Sequence, residues 1–184
     1  MSEAKPGKQP QPELSPQQIA FFTQAVAEYI RAQRVRYYSR AAPLSFSDLW
    51  SRFFEPVDMQ RVRALQPGQE RVPNPPFYAQ LEQLGFTGLP NFTVMAAITF
   101  DDVVVFHDPL TPQLIFHEMV HVVQYRLLGV DEFARLYVRG YLQGGYEGTP
   151  LEVCAYQLDG RFIMGSIGFD VESEVRSWIA NGRF

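Results

Sequence analysis

The chain has 184 residues, of which 46% are hydrophobic and 14% aromatic, enough to bury the core of one domain and to confine any disorder to an end. A net charge of -4 and a pI near 5.4 argue against a surface built to neutralise phosphates, so no nucleic-acid partner is expected. Cys154 is the single cysteine, which excludes a disulfide framework and a cysteine-rich zinc site, and no stretch approaches about 18 uninterrupted apolar residues, so no membrane partner is expected either.

Residues 1–14, rich in Pro, Gln, Lys and Glu, are expected to form a disordered tail, and their lack of a secretory-type apolar segment makes a cytoplasmic location the expectation, with a non-classical export route left open. From Ser15 the run "SPQQ" offers an N-cap serine, a first-turn proline and a capping-box glutamine. Ile19, Phe22, Val26 and Tyr29 or Ile30 then recur at helical spacing. This predicts a helix to about Arg40, with Arg31, Arg34, Arg36 and Arg40 on its solvated side. "LSFSDLWSRFF" and "PVDMQRVRAL" predict two short helices parted by Pro56, and "PGQERVPNPP" a linker, so 15–75 reads as an N-terminal helical region. Residues 76–84 predict another short helix, stopped by Gly85. The one strong strand signal is "FTVMAAITFDDVVVFHD", read as a hairpin of about 92–100 and 103–107 turning at Asp101-Asp102.

Helices resume at Thr111-Pro112 and run to Gly129, from an Asp131 cap to Gly144-Gly145, from Thr149-Pro150 to about Asp159, and from Asp170 to Gly182. The fold class expected is α+β, predominantly helical, with residues 76–184 as the chemistry-bearing domain.

Two of the chain's three histidines lie in the apolar run "PQLIFHEMVHVVQYRLLG". On a wheel of about 100° per residue, with His117 at zero, His121 falls near 40° and Glu118 near 100°, while Phe116, Met119, Val120, Val123 and Leu127 gather on the opposite side. One face therefore packs and the other presents two imidazoles, the pairing that suits a tetrahedral zinc ion, with Glu118 at the flank where it would deprotonate a water on the metal. No histidine follows His121, so the candidates for a third ligand are carboxylates, chiefly Glu147 and Glu152, with neither as the remaining alternative. Glu152 has a competing explanation, because Thr149-x-x-Glu152 is itself a capping box. In its favour, it opens an apolar helix and Tyr156 follows one turn later on the same face, where a hydroxyl would polarise a carbonyl. Tyr146 is a second hydroxyl candidate. His107, at the end of the hairpin beside the site, is a candidate to meet substrate or proton.

The segments "AITFDDVVVFHD", "LIFHEMVHVVQYRLLG" and "GTPLEVCAY" together resemble the zincin domains of glutamate-ligand type. More narrowly, they are similar to the small bacterial metallopeptidase domains associated with extracellular contractile injection systems. The resemblance spans about residues 92–160. It implies a zincin-like core with a β-hairpin beside the active-site helix, Zn²⁺ bound by His117, His121 and Glu152, Glu118 as the base, a structural role for Gln124, and a peptide or protein substrate. Cys154 departs from the family, which has a second glutamate there; at about 200° from Glu152 it points away from the ligands and is expected in the core. The function expected is therefore a zinc-dependent peptidase. The alternative from another class is a non-catalytic, metal-stabilised module that docks on a protein.

Overall fold

Ser15 opens the first helix as its sequence predicts: its hydroxyl accepts the Gln18 N–H at 3.3 Å, and the Gln18 side chain accepts the Ser15 N–H at 2.9 Å. In the computed structural model, which describes residues 12–165 and 167–184, this helix is α1 (Pro16–Tyr38). The tail expectation for residues 1–11 lies outside the described residues. Leu14, also assigned to that tail, instead packs against Phe22, Leu81, Phe86 and Tyr141.

Helices α2 (Pro56–Arg61) and α3 (Tyr78–Gln83) are short, and single 3₁₀ segments occupy Asp48–Arg52 and Phe92–Val94. The hairpin is β3 (Ala97–Phe100) and β4 (Val103–Phe106), paired antiparallel with Phe100 opposite Val103. Residues 92–94, expected in the first strand, belong to a 3₁₀ turn instead. Two strands were not expected. They are β1 (Ala42–Pro43) and β2 (Arg63–Leu65), the latter parallel to β4, and they complete a four-stranded sheet of order β1-β2-β4-β3. The sequence pattern predicts Arg63–Leu65 as the end of a helix, but α2 stops at Arg61 and the chain gains a ladder with β4 that local propensity does not encode.

Both faces of the hairpin are covered, which accounts for its unbroken apolar run. Ala97, Val104 and Phe106 pack with Phe116, Met119, Val120 and Val123 of α4 (Pro112–Gly144), the apolar side that the helical wheel predicts. Ile98, Phe100, Val103 and Val105 pack against Ala27, Tyr29, Ile30 and Tyr37 of α1. The Asp101-Asp102 turn is a weak hairpin former, and Asp101 takes a positive φ of 59°. It is clamped by arginines: Arg34 bonds both oxygens of Asp102 at 2.6 and 2.9 Å, and Arg61 reaches Asp101 at 2.7 Å. Arg31, Arg36 and Arg40 likewise pair with Asp131 or Glu70, so the basic side of α1 faces the chain's own carboxylates.

Gly129 breaks the helical path as expected, with φ 74° and ψ 163°, yet α4 resumes at once, so the two helices read from the sequence form one kinked element. Asp131, expected as a cap, sits just past that kink and ion-pairs with Arg31. The kink sends the second half of α4 back along α1. Helix α5 (Pro150–Ile163) then returns against α4, and α6 (Val171–Ala180) closes the chain. A β-carbon on Gly140 would lie 2.5 Å from Pro150 Cδ, so a glycine at that position lets the start of α5 sit directly on α4.

Candidate metal centre

The first half of α4 carries His117 and His121 one turn apart, and the start of α5 carries Glu152; all three are buried and their ligand atoms converge. The two imidazole Nε2 atoms are 3.2 Å apart, and Glu152 Oε2 is 3.5 Å from each. Each ring's other nitrogen is engaged. His117 Nδ1 is 3.0 Å from Asp159 Oδ2, and His121 Nδ1 is 2.9 Å from Gln124 Oε1, whose own amide donates to Leu151 O at 3.0 Å.

Those partners decide the tautomers. A carboxylate and an amide oxygen only accept, so both Nδ1 atoms carry the hydrogen and, in the neutral rings, both Nε2 atoms present lone pairs. Two nitrogen lone pairs and a carboxylate oxygen thus face one another, a repulsive trio unless a cation lies among them. Glu152 Oε2 has no hydrogen-bond partner although its residue is only 7% exposed. Two ligands held about 2.0–2.1 Å from one ion at a tetrahedral angle lie about 3.3–3.4 Å apart, which is the spacing of this trio. The residues therefore fit a metal ion.

A proton is the other cation that the trio accepts. Burial opposes charge on His117, but the Asp159 and Glu152 carboxylates outweigh it and lift the imidazole to about 10. His121 is raised too, Glu152 overcoming the cost of burial. Burial alone would raise the Glu152 carboxyl; the two imidazoles instead hold it far below the carboxylate range.

Glu152 is no capping residue. Thr149 makes no side-chain cap and donates its hydroxyl to Gly145 O at 3.1 Å, which leaves the glutamate free to face the histidines. Glu147 is exposed in the turn before α5 and lies outside the cluster. Glu118 is buried on the flank of α4 and accepts a 2.6 Å hydrogen bond from Thr99 Oγ1 of β3. The Tyr156 ring packs on His117 with centroids 4.6 Å apart, while half of the residue remains exposed. Burial, then the carboxylates of Glu152, Asp159 and Glu118, raise its phenol, so it stays a hydrogen-bond donor at neutral pH. Tyr146 lines the cavity beside the cluster and is likewise raised by burial. Cys154 is fully buried in the core, as expected, and burial pushes its thiol up to about 12.

His107 has a different job from the one its position in the sequence suggests. Its Nδ1 bonds Met95 O at 2.8 Å and its Nε2 accepts the Val72 N–H at 3.1 Å, so both ring nitrogens tie down backbone, and it does not line the cavity. Two residues that matter here escaped the sequence reading. Asp159 stands seven positions after Glu152, two helical turns on the same face, a spacing that could have been noticed. Thr99 is the one polar residue of β3, but which strand residue faces Glu118 is set only by tertiary packing.

A cavity of about 120 Å³ adjoins His117, Glu118, His121 and Glu152 and runs along β3 beneath α1 and the second half of α4. No helix among the described residues is long and apolar enough to cross a membrane. The chain matches no family model, no curated protein and no solved structure.

Proposed function

We propose that the chain is a zinc-dependent peptidase built on a zincin-like core, with His117, His121 and Glu152 holding the ion. The observation that carries this reading is the convergence of two tautomerically fixed imidazoles on a buried, unpartnered carboxylate oxygen, with a second buried carboxylate, Glu118, one residue from the first ligand. Bound zinc supplies Lewis acidity, polarising a scissile carbonyl and acidifying water. Asp159 and Gln124 keep both rings in the one tautomer that binds metal and prevent them from turning. Glu118, aimed by Thr99, takes the proton from the attacking water and returns it to the departing amine. Tyr156, a donor with an exposed flank beside His117, hydrogen-bonds the carbonyl oxygen as negative charge develops there, with Tyr146 behind it at the cavity wall.

A site needing only structural zinc has no use for a carboxylate positioned like Glu118, and that residue is the test. Purified protein should bind about one zinc per chain and cut peptides. Glu118→Gln should keep the zinc and lose at least about 100-fold in kcat. Undiminished cleavage by that variant would sink the mechanism; a zinc-loaded wild type that cuts nothing in a diverse peptide library would sink the activity.

A further inference from the structure

The N-terminal half of the chain contributes nearly half of the wall of the cavity beside the cluster. Phe22, Val26, Tyr29 and Ile30 of α1 form one wall, and the segment from Pro75 to Met95 contributes a second. The kinked half of α4 adds Phe133 and Val138. Residues 97–100 of β3 line it along their whole length, and β3 is the edge strand of the sheet. The outward backbone groups of Ala97 and Thr99, which an antiparallel pairing with Phe100 opposite Val103 leaves unbonded to β4, therefore border this space.

Its chemistry is one-sided. The charged or titratable side chains that line it, tyrosines apart, are His117, Glu118, His121 and Glu152, all at the cluster end; the rest of the wall is aliphatic or aromatic apart from Thr99 and the tyrosine hydroxyls, of which those of Tyr137 and Tyr141 are buried without a partner. Away from the cluster, a lysine, arginine or acidic side chain entering it would lose its hydration and meet only neutral phenol hydroxyls, with no opposite charge to balance its own. The size is also selective. An apolar cavity of about 150 Å³ takes a benzene-sized guest, so the 120 Å³ here accommodates one ring or one branched aliphatic side chain, not a long acyl chain.

We propose that this cavity is the specificity pocket of the enzyme: it takes one large apolar side chain, Phe, Tyr, Leu or Met, from the residue next to the bond being cut, and α1 with the 75–95 segment forms part of its wall. This rests on the peptidase reading above, because the cluster at the pocket mouth is what would act on the adjoining bond. The pocket also gives the N-terminal half, which lies mostly outside the hairpin and ligand-bearing helices, a role beyond covering the sheet.

The test uses the zinc-loaded full chain and a peptide library randomised around the cut. Peptides with a large apolar residue at one flanking position should be cut about 10–100-fold faster, in kcat/KM, than those with Gly or Ala, the factor that burying one such side chain corresponds to. Val26→Trp, which fills the pocket from α1 and touches no reacting group, should reverse that preference while cleavage of small-residue peptides stays within about threefold of wild type. Should that variant fail to melt cooperatively, Val138→Ala replaces it and should broaden acceptance toward Trp. A second arm is independent of turnover: zinc-loaded Glu118→Gln should bind N-acetylphenylalanine amide at least about tenfold tighter than N-acetylglycine amide, followed by calorimetry. Cleavage with no apolar preference, or with a preference for charged residues, overturns the pocket and leaves the peptidase standing. No cleavage, with the phenylalanine amide still preferred, overturns the peptidase and upholds the pocket. Equal binding of the two amides overturns the pocket whatever the cleavage assay gives.

Discussion

Replacing Thr99 by valine removes one hydroxyl from β3 and almost nothing else, since the two side chains are nearly the same shape. That hydroxyl donates to Glu118 Oε2 at 2.6 Å, with both residues buried, and no other side-chain donor to that carboxylate is found among the described residues. A hydrogen bond to a charged group is worth about 1.5–3 kcal/mol, and under the proposed mechanism this one holds the base toward water. If most of it is lost in the transition state, kcat falls about 10–100-fold, because about 1.4 kcal/mol is a factor of ten. Zinc content should not change, since Thr99 touches no ligand, and KM should move little. Thr99→Ser, which keeps the donor, should stay within about threefold of wild type. The assay is steady-state cleavage of a quenched fluorescent peptide beside metal analysis of the same preparations. A valine variant with full zinc and kcat within twofold of wild type would refute the reasoning, as would a serine variant as impaired as valine.

Gln124→Leu removes the acceptor that fixes His121 and the amide that reaches Leu151 O, so zinc affinity should weaken about 10–100-fold in competition with a chromogenic chelator. Gly140→Ala pushes a methyl group to 2.5 Å from Pro150 Cδ. The clash should cost about 1–3 kcal/mol in urea unfolding and also weaken zinc binding, because α5 and Glu152 move together; an unchanged midpoint would contradict that packing. In the metal-free protein, His117 rises from 6.5 to about 10, so its contribution to stability is complete below pH 6.5 and lost as pH climbs through 10. Denaturation in a strong chelator should therefore show stability falling on the order of a few kcal/mol between pH 7 and 10, and saturating zinc, which takes the proton's place, should flatten that slope. A flat metal-free profile would count against the buried charge.

The candidate cluster was partly legible because its information is local: His117 and His121 share a turn, and Glu152 opens the next apolar helix under its own proline, although the residues alone left Glu147 beside it as a candidate. The capping-box competitor for Glu152 could be excluded only once Thr149 was seen to bond Gly145 instead. Nonlocal features were not legible. Strand β2 exists because Arg63–Leu65 meet β4 some forty positions later, and a three-residue strand carries no period of its own. His107 misled because a histidine near the helix invites a catalytic role, whereas its partners, Val72 and Met95, are backbone groups that no side-chain pattern announces. Arg31, Arg36 and Arg40 are exposed, as the helical pattern predicts, but the pairing of these arginines and Arg34 with Asp101, Asp102, Asp131 and Glu70 depends on how α1 lies across the sheet.

Strand β4 is covered by α1 on one face and α4 on the other, with β2 from the N-terminal half bonded to its flank. The ligand-bearing segment is therefore not a portable cassette. Trimmed to residues 76–184, it would expose Ile98, Phe100, Val103 and Val105 together and be expected to self-associate. Anyone transplanting this centre into another protein would have to carry the first helix along, and any lineage that exchanged one half would have to re-evolve its counterpart.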